Sequence, residues 1–172
     1  MEIEKLKLIQ HLKECLRHWD RLNYAYSNLI TLAPLIPEQY ENLTDLQIEH
    51  IDQFLFRFSK LQDAMGDRLF KSLLLCLQED IKSMPFIDRL NRLEELSLLS
   101  DKQQWLVFRK LRNDISHEYP DQIEKNTETI NTIYQSIPSL FLVLLTIHKY
   151  IDLNIISNLE STLVFPKDLP TK

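Results

Sequence analysis

Thr44-Asp45-Leu46-Gln47-Ile48-Glu49-His50-Ile51-Asp52-Gln53-Phe54-Leu55-Phe56-Arg57-Phe58 decides the fold class. Its first four residues have the form of a capping box, in which a Thr hydroxyl and a Gln side chain satisfy the free N–H groups that open a helix. Apolar residues then recur in steps of three and four at Ile48, Ile51, Phe54, Phe58, Leu61, Met65, Leu69 and Leu73, with Leu55 beside them. That is the period of one helix face, not of a strand. The stretch predicts a long amphipathic helix that ends between about Asp80 and Met84.

The same period continues on both sides. Leu12, Leu16, Trp19, Leu22, Tyr26, Leu29 and Ala33 predict a helix from Ile3 to Ala33, stopped by Pro34 and Pro37. A polar loop leads to Thr44. Pro85 suits a first helical turn, and Phe86, Ile87, Leu90, Leu93 and Leu96 predict a shorter third helix. Ser100-Asp101-Lys102-Gln103 has the look of a second capping box, opening a fourth helix with Trp105, Phe108, Leu111 and Ile115. A last helix is expected from about Gln122 to Ile156, kinked at Pro138. The tail from Ser157 holds Pro166 and Pro170 and is expected to be extended or frayed.

The 172 residues contain one glycine, Gly66. Rossmann and P-loop nucleotide folds need several glycines at fixed places, and hairpin-rich β folds use them in turns. The expectation is therefore all-α: an antiparallel up-down bundle of four to five helices over residues 1–156, with a tail at 157–172. Cys15 and Cys76 have no metal or disulfide spacing, no Asp/Glu cluster asks for a metal, and no cofactor is expected. Met1-Glu2-Ile3-Glu4-Lys5 is charged and amphipathic, not a leader, and no apolar run is expected to reach the roughly 20 residues of a membrane span. A soluble, cytoplasmic chain is expected.

Net charge is −5. Between Arg57 and Arg112, however, 11 Lys and Arg stand against 8 Asp and Glu, and the remainder of the chain has 9 against 17. The middle of the chain is basic within an acidic protein, as a solvated helix surface or as a place for an anion.

Chemistry concentrates in Arg112-Asn113-Asp114-Ile115-Ser116-His117-Glu118-Tyr119-Pro120. Arg112 offers a permanent charge and a planar fork that fits phosphate. His117 offers a proton donor or acceptor near neutral pH, with Asn113 and Ser116 as polar support. On a straight helix Arg112 and His117 diverge by roughly 140°, so they meet only if the helix end unwinds or two copies face each other across a two-fold axis. Such a pair suits metal-independent cleavage of RNA through its own 2′-hydroxyl. The same two residues would also suit the C-terminal end of a helix as caps. Gly66 lies mid-helix, for close approach of a ligand or partner helix, or for tight packing within the chain. Lys60, Asp63, Asp67 and Arg68 would line a cleft or form a charged ladder. His11, His18, His50 and His148 are expected on ordinary helix faces, and Trp19 and Trp105 in the core.

The Arg-x4-His-x-Tyr pattern of Arg112, His117 and Tyr119 resembles that of HEPN-domain toxins of the HepT type, and Phe58 to Phe70 is similar to the second helix of that group. The resemblance covers roughly residues 45–120. It implies a HEPN-like bundle acting as a homodimeric ribonuclease, with Arg112 and His117 as the catalytic pair. It also implies a partner, an MntA-type minimal nucleotidyltransferase antitoxin that silences the toxin by moving AMP onto Tyr119. The alternative implied role is a non-catalytic, substrate-binding subunit of such a transferase.

Overall fold

The computed structural model describes residues 2–115 and 122–156, with Leu163 and Leu169 from the tail. The described residues form α1 (Glu2–Asn28), a short α2 (Pro37–Tyr40), α3 (Asp45–Asp63), a π-helical segment (Ala64–Leu69), α4 (Phe70–Cys76), α5 (Phe86–Glu95), α6 (Lys102–Ile115) and α7 (Ile123–Asn154). The α3, π and α4 segments run on without a break, so the bundle has six helical rods, and no strand is present among the described residues. The one rod beyond the expected four to five is α2, a single turn inside what reads as a polar loop.

Thr44 caps α3 as its sequence requires: its hydroxyl accepts from the Gln47 N–H, and the Gln47 side chain accepts from the Thr44 N–H at 2.9 Å. The second expected capping box is different. Asp101, not Ser100, receives the Gln103 N–H at 2.8 Å, and the Lys102 N–H is held by Glu94 Oε1 at 3.1 Å. The α3–α4 rod stops at Cys76, well before Asp80, because Gln78 turns into the left-handed region at φ 62°.

The core sits among α1, α3 and α7, with α6 packed on α3 and α7. Trp19 of α1 stacks on Phe141 of α7 at 4.6 Å, and Tyr26 stacks on Tyr134 at 4.4 Å. Trp19 and Trp105 are both fully buried, as expected from their stripes. His148 departs from expectation: it points into the core from α7 instead of lying on a surface. In the tail, Leu163 is buried and Leu169 packs against the same cluster, so these two residues are docked on the bundle, not frayed.

The last helix runs on as one element through Pro138. It also corrects the expectation about apolar length: it contains an 18-residue window of mean hydropathy 1.5, long and apolar enough to cross a membrane by composition. Gln135, Ser136, Ser139 and Thr146 interrupt the apolar run, yet none is charged, so the average stays high. Half of that window is buried inside the bundle, where Ile133, Ile137, Leu140, Leu144 and Ile147 form the core face.

Asn131 of α7 ties down the turn after α1. Its Oδ1 accepts from the Leu35 N–H and its Nδ2 donates to the Leu35 carbonyl, both at 2.8 Å. One amide thus satisfies both backbone groups of a residue whose side chain is buried. Asn131→Ala is expected to cost about 1–3 kcal/mol, since it leaves both groups unpaired. At this chain length each kcal/mol lowers Tm by about 2–4 °C. A variant melting within about 1 °C of the wild type would show that the clamp contributes nothing.

Candidate functional site

Along α6, Trp105, Phe108 and Arg112 recur at helical spacing, so one face begins apolar and ends in a guanidinium. Trp105 is wedged between Phe70 at 4.5 Å and Phe108 at 5.9 Å. This apolar contact seats α6 against the α3–α4 rod and carries Arg112 to the level of Asp63. There Arg112 Nε donates to Asp63 Oδ1 at 2.9 Å and Nη2 donates to Oδ2 at 3.0 Å. The fork is bidentate, which fixes orientation as well as distance. Its Nη1 reaches Asn113 Oδ1 at 3.4 Å. The hydrogen bonds from Asp63 raise the Arg112 pKa above its ordinary value, against a smaller opposing effect of burial and with help from the Asp67 charge.

Asp63 ends α3, and the π segment starts at the next residue. A π segment inserts extra backbone into a helix, and such insertions recur at functional sites. Here it carries Gly66 against the Trp105 ring. A Cβ built on Gly66 would stand 3.3 Å from Trp105 Cζ2 and 3.7 Å from Gln62 Nε2. The glycine therefore serves tight packing within the chain, and it also faces a small pocket.

That pocket has a volume of about 160 Å³ and is lined by Gln62, Asp63, Gly66 and Asp67 on one side, with Arg109, Arg112 and Asn113 on the other and Phe86 at its edge. Arg109 lies over the Phe86 ring at 4.3 Å. Sites for drug-sized ligands run from about 300 Å³. This one takes a phosphate group, not a nucleotide. Its charges balance, two carboxylates against two guanidiniums, so an entering phosphate would compete with Asp63 for Arg112.

Of the residues singled out in the sequence, Arg112, Asn113, Asp63 and Asp67 come together at this pocket. Lys60 is placed elsewhere, with its Nζ 5.5 Å from the Phe56 ring centroid on the exposed face of α3. Arg68 turns away to α1, where it grips Glu14 at 2.8 and 2.9 Å. Ser116, His117 and Tyr119 lie outside the described residues. Arg109, Phe86 and Gln62 escaped sequence reasoning; the signal for Arg109 was its place one turn before the motif arginine. No group of three or more His, Cys, Asp or Glu suited to a metal occurs among the described residues.

Comparisons with protein-family models, with curated proteins and with solved structures returned no match for this chain.

Gly66→Ala sets two effects against each other. Alanine gains about 1 kcal/mol of helix propensity. Overpacking a full core costs about 1–3 kcal/mol. Trp105 is fully buried between two rings and has little room to shift. The expected net result is a lower Tm for Gly66→Ala and a larger drop for Gly66→Val, read by thermal unfolding. A Tm raised by Gly66→Ala would show that the indole yields.

Proposed function

We propose that this chain is a HEPN-like, metal-independent ribonuclease, the toxin half of a toxin–antitoxin pair acting in the cytoplasm as a homodimer. The observation that carries the reading is the bidentate anchoring of Arg112 at a phosphate-sized pocket. That arginine stands at the end of α6, directly ahead of the segment holding His117 and Tyr119.

In this reading Asp63 holds the guanidinium plane ready, and the scissile phosphate exchanges with it or shares it. His117 takes the proton from the RNA 2′-hydroxyl. The 2′-oxygen then attacks phosphorus, and the bond to the 5′-oxygen breaks. A histidine from the second protomer protonates that leaving oxygen. Arg112 stabilises the extra negative charge on the phosphoryl oxygens. The products are a 2′,3′-cyclic phosphate and a 5′-hydroxyl. AMP placed on Tyr119 by a separate nucleotidyltransferase would set a negative phosphate two residues from His117 and so close the cleft to RNA.

A second reading is favoured by the charge balance of the pocket, in which Asp63 already occupies the Arg112 fork. It makes the chain a non-catalytic subunit that presents a substrate to a nucleotidyltransferase.

Induction of the wild type and of His117→Ala, with growth and RNA integrity followed together, separates the two. Arrest and RNA cleavage by the wild type alone are expected. Arg112→Lys keeps the charge without the fork and is expected to lower the cleavage rate by about 10²- to 10³-fold. An RNA-cleaving His117→Ala chain refutes the ribonuclease reading. A wild type that neither arrests growth nor cuts RNA supports the subunit.

A further inference from the structure

A second groove, larger than the Arg112 pocket, lies between α1 and α3. It measures about 550 Å³ and is lined by Gln10, Glu14, Arg17, His18, Arg21 and Arg57. Every lining side chain is polar or charged. Arg17 and Arg21 are one turn apart on α1, and both are exposed. Arg57 faces them from α3 and is half-buried.

The cations of this groove lack counter-charges. Glu14 is taken by Arg68 through two hydrogen bonds. Among the described residues no carboxylate stands within ion-pair distance of Arg17, Arg21 or Arg57. Arg57 Nη1 instead lies 3.4 Å from His18 Nδ1, so that nitrogen accepts and His18 is inferred to be the neutral tautomer with its proton on Nε2. Arg57 Nε is buried with no hydrogen-bond partner. Burial first, and then the nearby Arg21 charge, lower the Arg57 pKa. Like charges one helical turn apart destabilise a helix. Three converging guanidiniums in a chain of net charge −5 are a costly arrangement unless an anion relieves it.

The groove also has an aromatic edge. Phe56 is 50% exposed, with Arg57 5.1 Å and Lys60 5.5 Å from its ring centroid. An exposed ring beside a row of cations is the combination by which single-stranded nucleic acid is held, bases stacking while the backbone follows the charges. Mononucleotide sites, by contrast, are mostly apolar and enclosed.

We propose that the α1–α3 groove, with Arg17, Arg21 and Arg57 for phosphates and Phe56 for a base, binds the backbone of single-stranded RNA away from Arg112. The choice of RNA rests on the ribonuclease reading; the anion site itself rests on the groove. It gives an acidic chain a local positive track, and it holds the strand at a second point so that the phosphate at Arg112 is not the sole anchor.

The test uses the full-length chain and a fluorescent 2′-O-methyl RNA oligonucleotide, which lacks the attacking hydroxyl and stays intact. Arg17→Gln/Arg21→Gln is expected to weaken binding at least about tenfold, and to reduce the slope of log affinity against log salt by about 1.4, given about 0.7 per lost single-strand phosphate contact. Phe56→Ala is expected to weaken binding while leaving that slope unchanged. Lys82→Gln/Lys149→Gln, an equal charge change elsewhere, is expected to have little effect. Thermal unfolding checks that each variant remains folded.

Equal losses in the arginine and lysine pairs would overturn the proposal, as would a wild type that does not bind the oligonucleotide. Displacement of the oligonucleotide by ATP at comparable concentration would assign the groove to a free nucleotide and overturn the RNA assignment. Groove-dependent binding without cleavage of unmodified RNA would leave this proposal standing and remove the ribonuclease reading. Cleavage with binding untouched by Arg17→Gln/Arg21→Gln would do the reverse.

Discussion

The contact between Gly66 and Trp105 positions everything at the candidate site. Because residue 66 has no side chain, the indole lies flat against the rod, at a distance a methyl group would already crowd. That approach sets the spacing between α6 and α3, and with it the reach from Arg112 to Asp63. A bidentate guanidinium–carboxylate pair tolerates little displacement. An apolar contact two helical turns away therefore determines whether the polar one can form.

Most of the helical framework was legible in the sequence, and the reasons are local. Thr44 and Gln47 form the box their types dictate, and the three-four spacing of Phe54, Phe58, Leu61, Met65 and Leu69 is the spacing of residues buried together. What was not legible depended on contacts made at a distance. Nothing within Asp80 to Met84 ends the second rod; the chain turns earlier, at Gln78. The burial of His148 and the docking of Leu163 follow from neighbours in other helices, which periodicity cannot supply. At the site, the sequence pointed to Arg112, Asn113, Asp63 and Asp67 as residue types in a pattern. It could not pair Arg112 with Asp63, 49 positions away, or send Arg68 to Glu14 on a different helix.

Charge is distributed with the same logic. Arg112 and Arg68 each meet a carboxylate in two hydrogen bonds, and Arg92 is shared between Glu79 and Glu95. Pairs of this kind at a surface contribute little to stability, so their value lies in holding side chains in place. Against that background the guanidiniums of the α1–α3 groove stand apart, because His18 and an aromatic ring are poor substitutes for a carboxylate.

The π segment also acts as a phase setting between two lengths of helix. A single residue removed from Ala64–Leu69 would let the rod relax to a uniform α-helix, and everything beyond it would turn by about 100° relative to α3. Leu73 and Leu74, now buried, would rotate out of the core, while α3 and its carboxylate stayed where they are. Substitutions along this rod can be absorbed one at a time, but a change in its length cannot. Among chains that share this fold, the interval from Asp63 to Leu73 should therefore be far more constant in length than in composition.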